Sequence, residues 1–213
     1  MKKKLLTLLI ALVAIVIHAT PVEVMNYDFK QDGICYKINS DDNTVFVTEN
    51  GYSYDSSTQT VNHNIYGTYS GTLVIPATVT NEGTTYTVTG VYFAAFRECD
   101  WLRSVTFPNT ITSLDGDLFA DCKQHLQRVV LPQSMTELKA MFEGCEVLES
   151  VTMPTSLTEI KPCTFLNCIG VDSVSMGNRI SVVGSQAFAD CNGDSKIDVT
   201  DVNVIINIML GKM

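Results

Sequence analysis

Asp190, Asn192, Asp194, Asp198 and Asp201 carry the most definite chemistry in this sequence. They stand at positions 1, 3, 5, 9 and 12 of a twelve-residue stretch, and Lys196 at position 7 can offer its backbone carbonyl. Oxygens at that spacing converge when the chain coils into a tight loop. Calcium takes six to eight hard oxygens at roughly 2.3–2.6 Å, so calcium is the expected ion. Position 6 is Ser195 where glycine would ease the turn, and position 12 is Asp201 where glutamate would grip with both oxygens. An acidic turn without metal is the alternative reading.

Two elements must position such a loop, one behind it and one ahead. Ahead, residues 199–210 read as a helix. Val202, Ile205, Ile206 and Met209 form one face, Val204, Ile208 and Leu210 make most of the remainder apolar, and only Asn203 and Asn207 mark a polar stripe. A helix this apolar needs two neighbours. With Gly211-Lys212 added, the segment resembles one half of a type I dockerin, a module that has two such halves when complete. The resemblance implies that Val199 and Thr200 face a partner, joined by Val204 and Ile208. That partner is a cohesin-like protein or a second copy of the chain.

Behind the loop runs a repeat. Phe96-Arg-Glu-Cys99, Phe119-Ala-Asp-Cys122, Phe142-Glu-Gly-Cys145, Phe165-Leu-Asn-Cys168 and Phe188-Ala-Asp-Cys191 place phenylalanine every 23 residues. Between them recur Leu102-Arg-Ser-Val105-Thr-Phe107-Pro108, Leu126-Gln-Arg-Val129-Val-Leu131-Pro132 and Leu148-Glu-Ser-Val151-Thr-Met153-Pro154, with a degraded copy at Val171 to Gly177. Pairs of aliphatics follow: Ile111 and Leu114, Met135 and Leu138, Leu157 and Ile160, Ile180 and Val183. A fixed period in the twenties marks a solenoid whose units bury their apolar faces only by stacking. Cys122 to Leu126 is one residue longer than its equivalents and Leu138 to Phe142 one shorter, so the phenylalanines stay in register. The expected fold is therefore a mainly β repeat solenoid over residues 71–191, preceded by a β-rich cap over 21–70 and followed by the calcium loop and helix over 190–213. These repeats resemble the bacterial leucine-rich repeats of the BspA surface-antigen class. That resemblance implies a curved solenoid on a secreted or cell-surface protein, linked to adhesion, with a host or matrix ligand on the solenoid.

Within the cap span, Ile34 to Ile38 and Thr44 to Thr48 flank a polar loop and read as a hairpin. Pro76 to Phe96 is about twice as long as the later equivalents, and Asn81-Glu82-Gly83 within it reads as the turn of an inserted hairpin. Along the rung strands side chains alternate. The outward column is then Ser104, Arg128, Ser150 and Ser173, with Thr106, Val130, Thr152 and Ser175 beside it: small, polar and without aromatic platforms.

Lys2, Lys3 and Lys4, an apolar run from Leu5 to Ile17 and then Ala19 predict a secretory signal peptide over residues 1–20. The run is shorter than the roughly 20 residues of a membrane span. Losing three lysines takes the formal charge from −9 to −12. An acidic surface argues against nucleic acid and anionic lipid. Seven cysteines in a secreted chain could form disulfides, yet five share one repeat position, where a column of small buried thiols is expected. The histidines are His18, His63 and His125, and no nucleophile–base spacing or phosphate loop accompanies them, so no enzyme is expected.

Overall fold

The computed structural model describes residues 27–49, 69–171 and 179–191, and the backbone alone of 22–24, 52–55, 60–62 and 173–175. The predicted signal peptide, calcium loop beyond Cys191 and C-terminal helix lie outside the described residues. In chain order the strands are β1 (Val22–Val24), β2 (Phe29–Gln31), β3 (Ile34–Asn39), β4 (Thr44–Thr48), β5 (Tyr52–Asp55), β6 (Thr60–Asn62), β7 (Gly71–Val74) and β8 (Thr78–Asn81). They continue as β9 (Thr84–Val91), β10 (Leu102–Thr106), β11 (Arg128–Val130), β12 (Ser150–Thr152), β13 (Glu159–Ile160), β14 (Ser173–Ser175) and β15 (Val182–Val183). No helix occurs among the described residues.

The rungs are built as their residue pattern dictates. β7, β10, β11, β12 and β14 form one parallel sheet in the order β14-β12-β11-β10-β7. Its register stacks like on like, Val105 on Val129, Val129 on Val151 and Val151 on Val174. Leu102, Leu126 and Leu148 are buried at the strand starts, and Phe107, Leu131 and Met153 just beyond the ends. Pro108, Pro132 and Pro154 then stop each strand, because proline has no N–H to continue the ladder. Each proline carbonyl accepts from the N–H three residues on, Ile111, Met135 and Leu157, at 3.3 Å in all three rungs. The paired aliphatics that follow are buried from Ile111 to Ile160, and β13 pairs in parallel with β15.

The last rung differs from expectation. Val183 is 36% exposed where an inward position was predicted, and Val182 is 49% exposed. β15 has a neighbour on one side only among the described residues, so its side chains lack the covering rung that buries Ile160.

The phenylalanines do form a column. Phe96, Phe119, Phe142, Phe165 and Phe188 are all buried, with successive ring centroids 5.4, 5.4, 5.2 and 5.0 Å apart and planes within 15° of parallel. The one-residue slips of the third rung leave no trace here: Phe119 and Phe142 are the most nearly parallel pair, at 3°. The N–H groups of Phe96, Phe119, Phe142 and Phe165 each donate to a carbonyl of the next rung, as Phe119 to Met141 at 2.9 Å and Phe165 to Ala187 at 2.7 Å. The turn between phenylalanine and cysteine demands a left-handed residue. Glu98, Asp121, Gly144, Asn167 and Asp190, all two residues after a phenylalanine, have φ of 54°, 61°, 72°, 60° and 53° in that order. Gly, Asn and Asp tolerate this region best. Gly144→Ala should therefore cost about 1–2 kcal/mol, and Gly144→Asn distinctly less. Urea denaturation of the two variants checks this; equal costs would remove the backbone explanation.

The cysteines stack beside the rings as thiols, not disulfides. Cys122 Sγ donates to the Phe96 carbonyl at 2.9 Å, Cys145 to Phe119 at 3.1 Å, Cys168 to Phe142 at 2.9 Å and Cys191 to Phe165 at 3.1 Å. Each thiol thus gives a second hydrogen bond to a carbonyl of the rung before it, which already accepts from the cysteine N–H of its own turn, and a rung-to-rung disulfide would remove that second bond.

Residues 27–49 share the hydrophobic core of the rungs through Ile34, Tyr36, Val45 and Val47. Tyr69 packs edge-on against Phe96 at 5.1 Å. Its hydroxyl donates to the Thr48 carbonyl at 2.5 Å and accepts from the Cys35 N–H at 3.2 Å, joining β3 and β4 at one atom. The predicted hairpin is β3–β4, paired Asn39 to Thr44. The inserted hairpin is β8–β9, closed by Glu82 and Gly83, both at positive φ as a type I′ turn requires. It leaves the rung: β9 pairs in parallel with β4, completing the sheet β2-β3-β4-β9-β8. One consequence is local. Ser134 and Ser156 donate to the carbonyls of Ile111 and Met135 in the preceding rung. The equivalent acceptor for Thr110 would be Val79, which has departed into β8, and Thr110 Oγ1 is buried without a partner among the described residues. Separately, β1, β5 and β6 make a three-stranded antiparallel sheet in a compact unit of its own.

Candidate functional site

Parallel pairing in register turns the outward strand positions into columns. Ser104, Arg128, Ser150 and Ser173 align across the rung sheet, and Thr106, Val130, Thr152 and Ser175 align beside them, as the alternation predicted. β7 lengthens both columns by one: Thr72 beside Ser104 and Val74 beside Thr106. The Ser104 hydroxyl donates to Thr72 Oγ1 at 3.2 Å, and Val74 is 63% exposed at the sheet edge. The face is thus a ladder of short hydroxyls with one guanidinium, Arg128. It can hydrogen-bond an extended partner laid across the strands, because hydroxyls both donate and accept. Among the described residues these columns hold no histidine and no carboxylate.

At the corner leading into the sheet, Trp101 stacks on His125 with centroids 4.8 Å apart. His125 Nδ1 lies 2.6 Å from the Asp100 carbonyl, which fixes the proton on that nitrogen. Gln127 and Glu149 continue the edge, joined at 3.1 Å.

Of the predicted calcium ligands, Asp190 alone lies among the described residues. It occupies the left-handed turn position of its rung at φ 53°, next to Cys191, whose thiol is bound to Phe165. The repeat by itself therefore calls for Asp, Asn or Gly at 190. Asn192, Asp194, Lys196, Asp198 and Asp201, and the predicted partner-facing Val199, Thr200, Val204 and Ile208, lie outside the described residues. Among the described residues no three His, Cys, Asp or Glu side chains are placed to hold a metal, and no helix is long and apolar enough to cross a membrane.

One feature the repeat pattern did not point to is a cleft lined by Phe46, Val91, Tyr92, Phe93 and Asp115. Its sequence signal is the doublet Tyr92-Phe93, two large aromatics just ahead of the buried Phe96.

Comparison with known proteins agrees with this architecture. No curated protein matches the chain. A leucine-rich repeat protein from Bacteroides ovatus ATCC 8483 superposes with a TM-score of 0.61 at 25% identity, over 78% of this chain and 39% of its own. The present chain thus spans about two fifths of that protein's length. The leucine-rich repeat protein of T. pallidum has the same fold, with a TM-score of 0.56 at 23% identity over 77% of this chain and 67% of its own. The BspA type leucine-rich repeat region matches in six copies across residues 76–203, more than half of the sequence. With its phenylalanine column, its strand–proline phrase and that match, the chain belongs to the BspA-type leucine-rich repeat family.

Proposed function

We propose that this chain is a secreted or cell-surface, non-catalytic protein-binding module of the adhesion type, with a calcium-ordered docking tail. The in-register hydroxyl face of β7, β10, β11, β12 and β14 carries the reading. A repeat stack of this kind offers an extended surface, which suits recognition of a large partner. The charged and apolar start of the sequence supports export, and the acidic surface supports an extracellular setting.

The tail reading rests on the ligand spacing from Asp190 to Asp201. Asp190 would serve two masters there, turning the last rung and opening the calcium loop, so that metal binding would lock the tail to the stack. The half-dockerin pattern favours a second reading, in which the chain is an accessory component of an extracellular polysaccharide-degrading assembly, recruited through that tail. Calcium at a hundred times its Kd should stabilise the full chain by about 2.7 kcal/mol, a rise of roughly 5–11 °C in Tm. Melting with calcium and with chelator checks it, and an unchanged Tm would remove the tail assignment. Titration of a type I cohesin into the calcium-loaded chain then separates the readings: binding supports the assembly role, and calcium-dependent dimerisation without cohesin binding supports self-association.

A further inference from the structure

The cleft beside the first rung encloses about 270 Å³, and three independent features build it. First, β4 and β9 pair with one residue left over: Val45 faces Val88, then Phe46 faces Gly90, and Thr89 is bulged out. A bulge re-aims the side chains around it. Second, a Cβ on Gly90 would sit 2.4 Å from Cδ1 and Cε1 of Phe46. Glycine is therefore what allows the Phe46 ring to lie across β9, where it meets Tyr92 edge-on at 5.7 Å. Third, Tyr92 and Phe93 remain 45% and 59% exposed. Leaving two such rings in water forgoes apolar burial that the core next to them would reward. The polar part is the Asp115 carboxylate, held by Lys139 at 2.9 Å.

We propose that this cleft binds a single neutral saccharide ring, stacked on Tyr92 and Phe93 and hydrogen-bonded to the Asp115–Lys139 pair. A pyranose has an apolar face of C–H groups, which an exposed aromatic ring covers by dispersion and by release of water. Its rim consists of hydroxyls that both donate and accept. A carboxylate beside an ammonium offers acceptors and donors within one hydroxyl's reach. Charge argues against the other occupants. Lys139 already pairs with Asp115, so a lysine or arginine side chain finds no unpaired carboxylate, and an anion would meet the Asp115 carboxylate beside an ammonium already engaged. The volume suits one small ring and not a folded surface. None of the cleft's lining residues belongs to the hydroxyl columns, so this inference stands apart from the proposed function.

Saturation-transfer NMR on the full chain, with glucose, galactose, mannose, N-acetylglucosamine, cellobiose, maltose and lactose as probes, tests it. Acetyl-arginine amide is the cationic comparison. Transfer to the ring C–H protons of at least one sugar is expected, weakened about tenfold in Phe93→Ala and clearly in Asp115→Asn. Trp101→Ala, which removes the other large exposed ring among the described residues, should leave it unchanged. Phe93 and Asp115 are surface side chains, so circular dichroism should show both variants folded. The proposal is overturned if no sugar receives saturation, if only the arginine amide does, or if Trp101→Ala abolishes the signal while Phe93→Ala does not.

Discussion

Phe142→Ala should destabilise the chain by about 3–5 kcal/mol, lowering Tm by roughly 6–20 °C. Phe142 is fully buried in the middle of the column, with Phe119 at 5.4 Å on one side and Phe165 at 5.2 Å on the other. Removing the ring leaves a void that neither neighbour can fill, because each is itself pinned by the next ring and by the backbone ladder. Two stacking contacts, about 0.5–1.5 kcal/mol each, go with it. Phe188 tests whether the column is the cause. It is equally buried, yet among the described rings it stacks on Phe165 alone, at 5.0 Å. Phe188→Ala should therefore cost about 1 kcal/mol less than Phe142→Ala. The middle substitution should also reduce the denaturant slope, because a stack cut at one interface no longer unfolds as one unit. Urea titrations of both variants decide it. Equal costs, or a loss below about 2 kcal/mol at Phe142, would mean that the rings are merely buried and the stacking is incidental.

What the sequence disclosed follows from which interactions repeat. A column of five phenylalanines and five cysteines is legible because the same side chain meets itself 23 residues on, so spacing alone implies contact. The outward columns were legible for a related reason: strand alternation is local, and parallel pairing only copies it. The left-handed turn is present in the sequence as Glu98, Asp121, Gly144, Asn167 and Asp190, four of them residue types that favour positive φ, and it becomes evident once the turn is seen. Asp32-Gly33 is a comparable local signal for the β2–β3 hairpin, where both residues have positive φ. The departures are nonlocal. Nothing near β9 announces that it leaves its rung to pair with β4, some forty residues earlier, and the cleft exists only because of that pairing. Val183 carries the same residue pattern as Ile160 but lacks its covering neighbour among the described residues, and a pattern cannot encode the presence of a neighbour. Asp190 shows the converse limit. Aspartate there fits the turn that the structure shows and would equally fit the proposed ligand set, and the sequence does not rank the two.

Raising the pH should unfold this chain well before its arginines titrate. Burial pushes the thiols of Cys122, Cys145 and Cys168 well above the ordinary thiol range. Burial raises Cys35 as well, and Tyr36 and Tyr69 among the phenols. A thiol that must stay protonated to remain folded contributes its full stability below the unfolded value of about 8.5. Above that, the unfolded chain sheds the proton first and the folded chain falls behind. Stability then declines by about 1.4 kcal/mol per pH unit for each such thiol until the folded value is reached. Three column thiols give about 4 kcal/mol per pH unit, and the buried phenols add to the slope above about pH 10. Against a total of about 5–15 kcal/mol, unfolding near pH 10–11 is expected. The thiol proton also makes the bond to the preceding rung, as from Cys145 to the Phe119 carbonyl, so ionisation would set a thiolate against a carbonyl oxygen. Cys145→Ser isolates the titration from the packing, because serine keeps a hydroxyl for the same carbonyl and does not ionise. Stability of both proteins by urea denaturation between pH 7 and 10 is the measurement. The variant should start somewhat weaker and lose about a third less per pH unit, and a profile that stays flat to pH 10 in the parent chain would show that the buried thiols do not govern it.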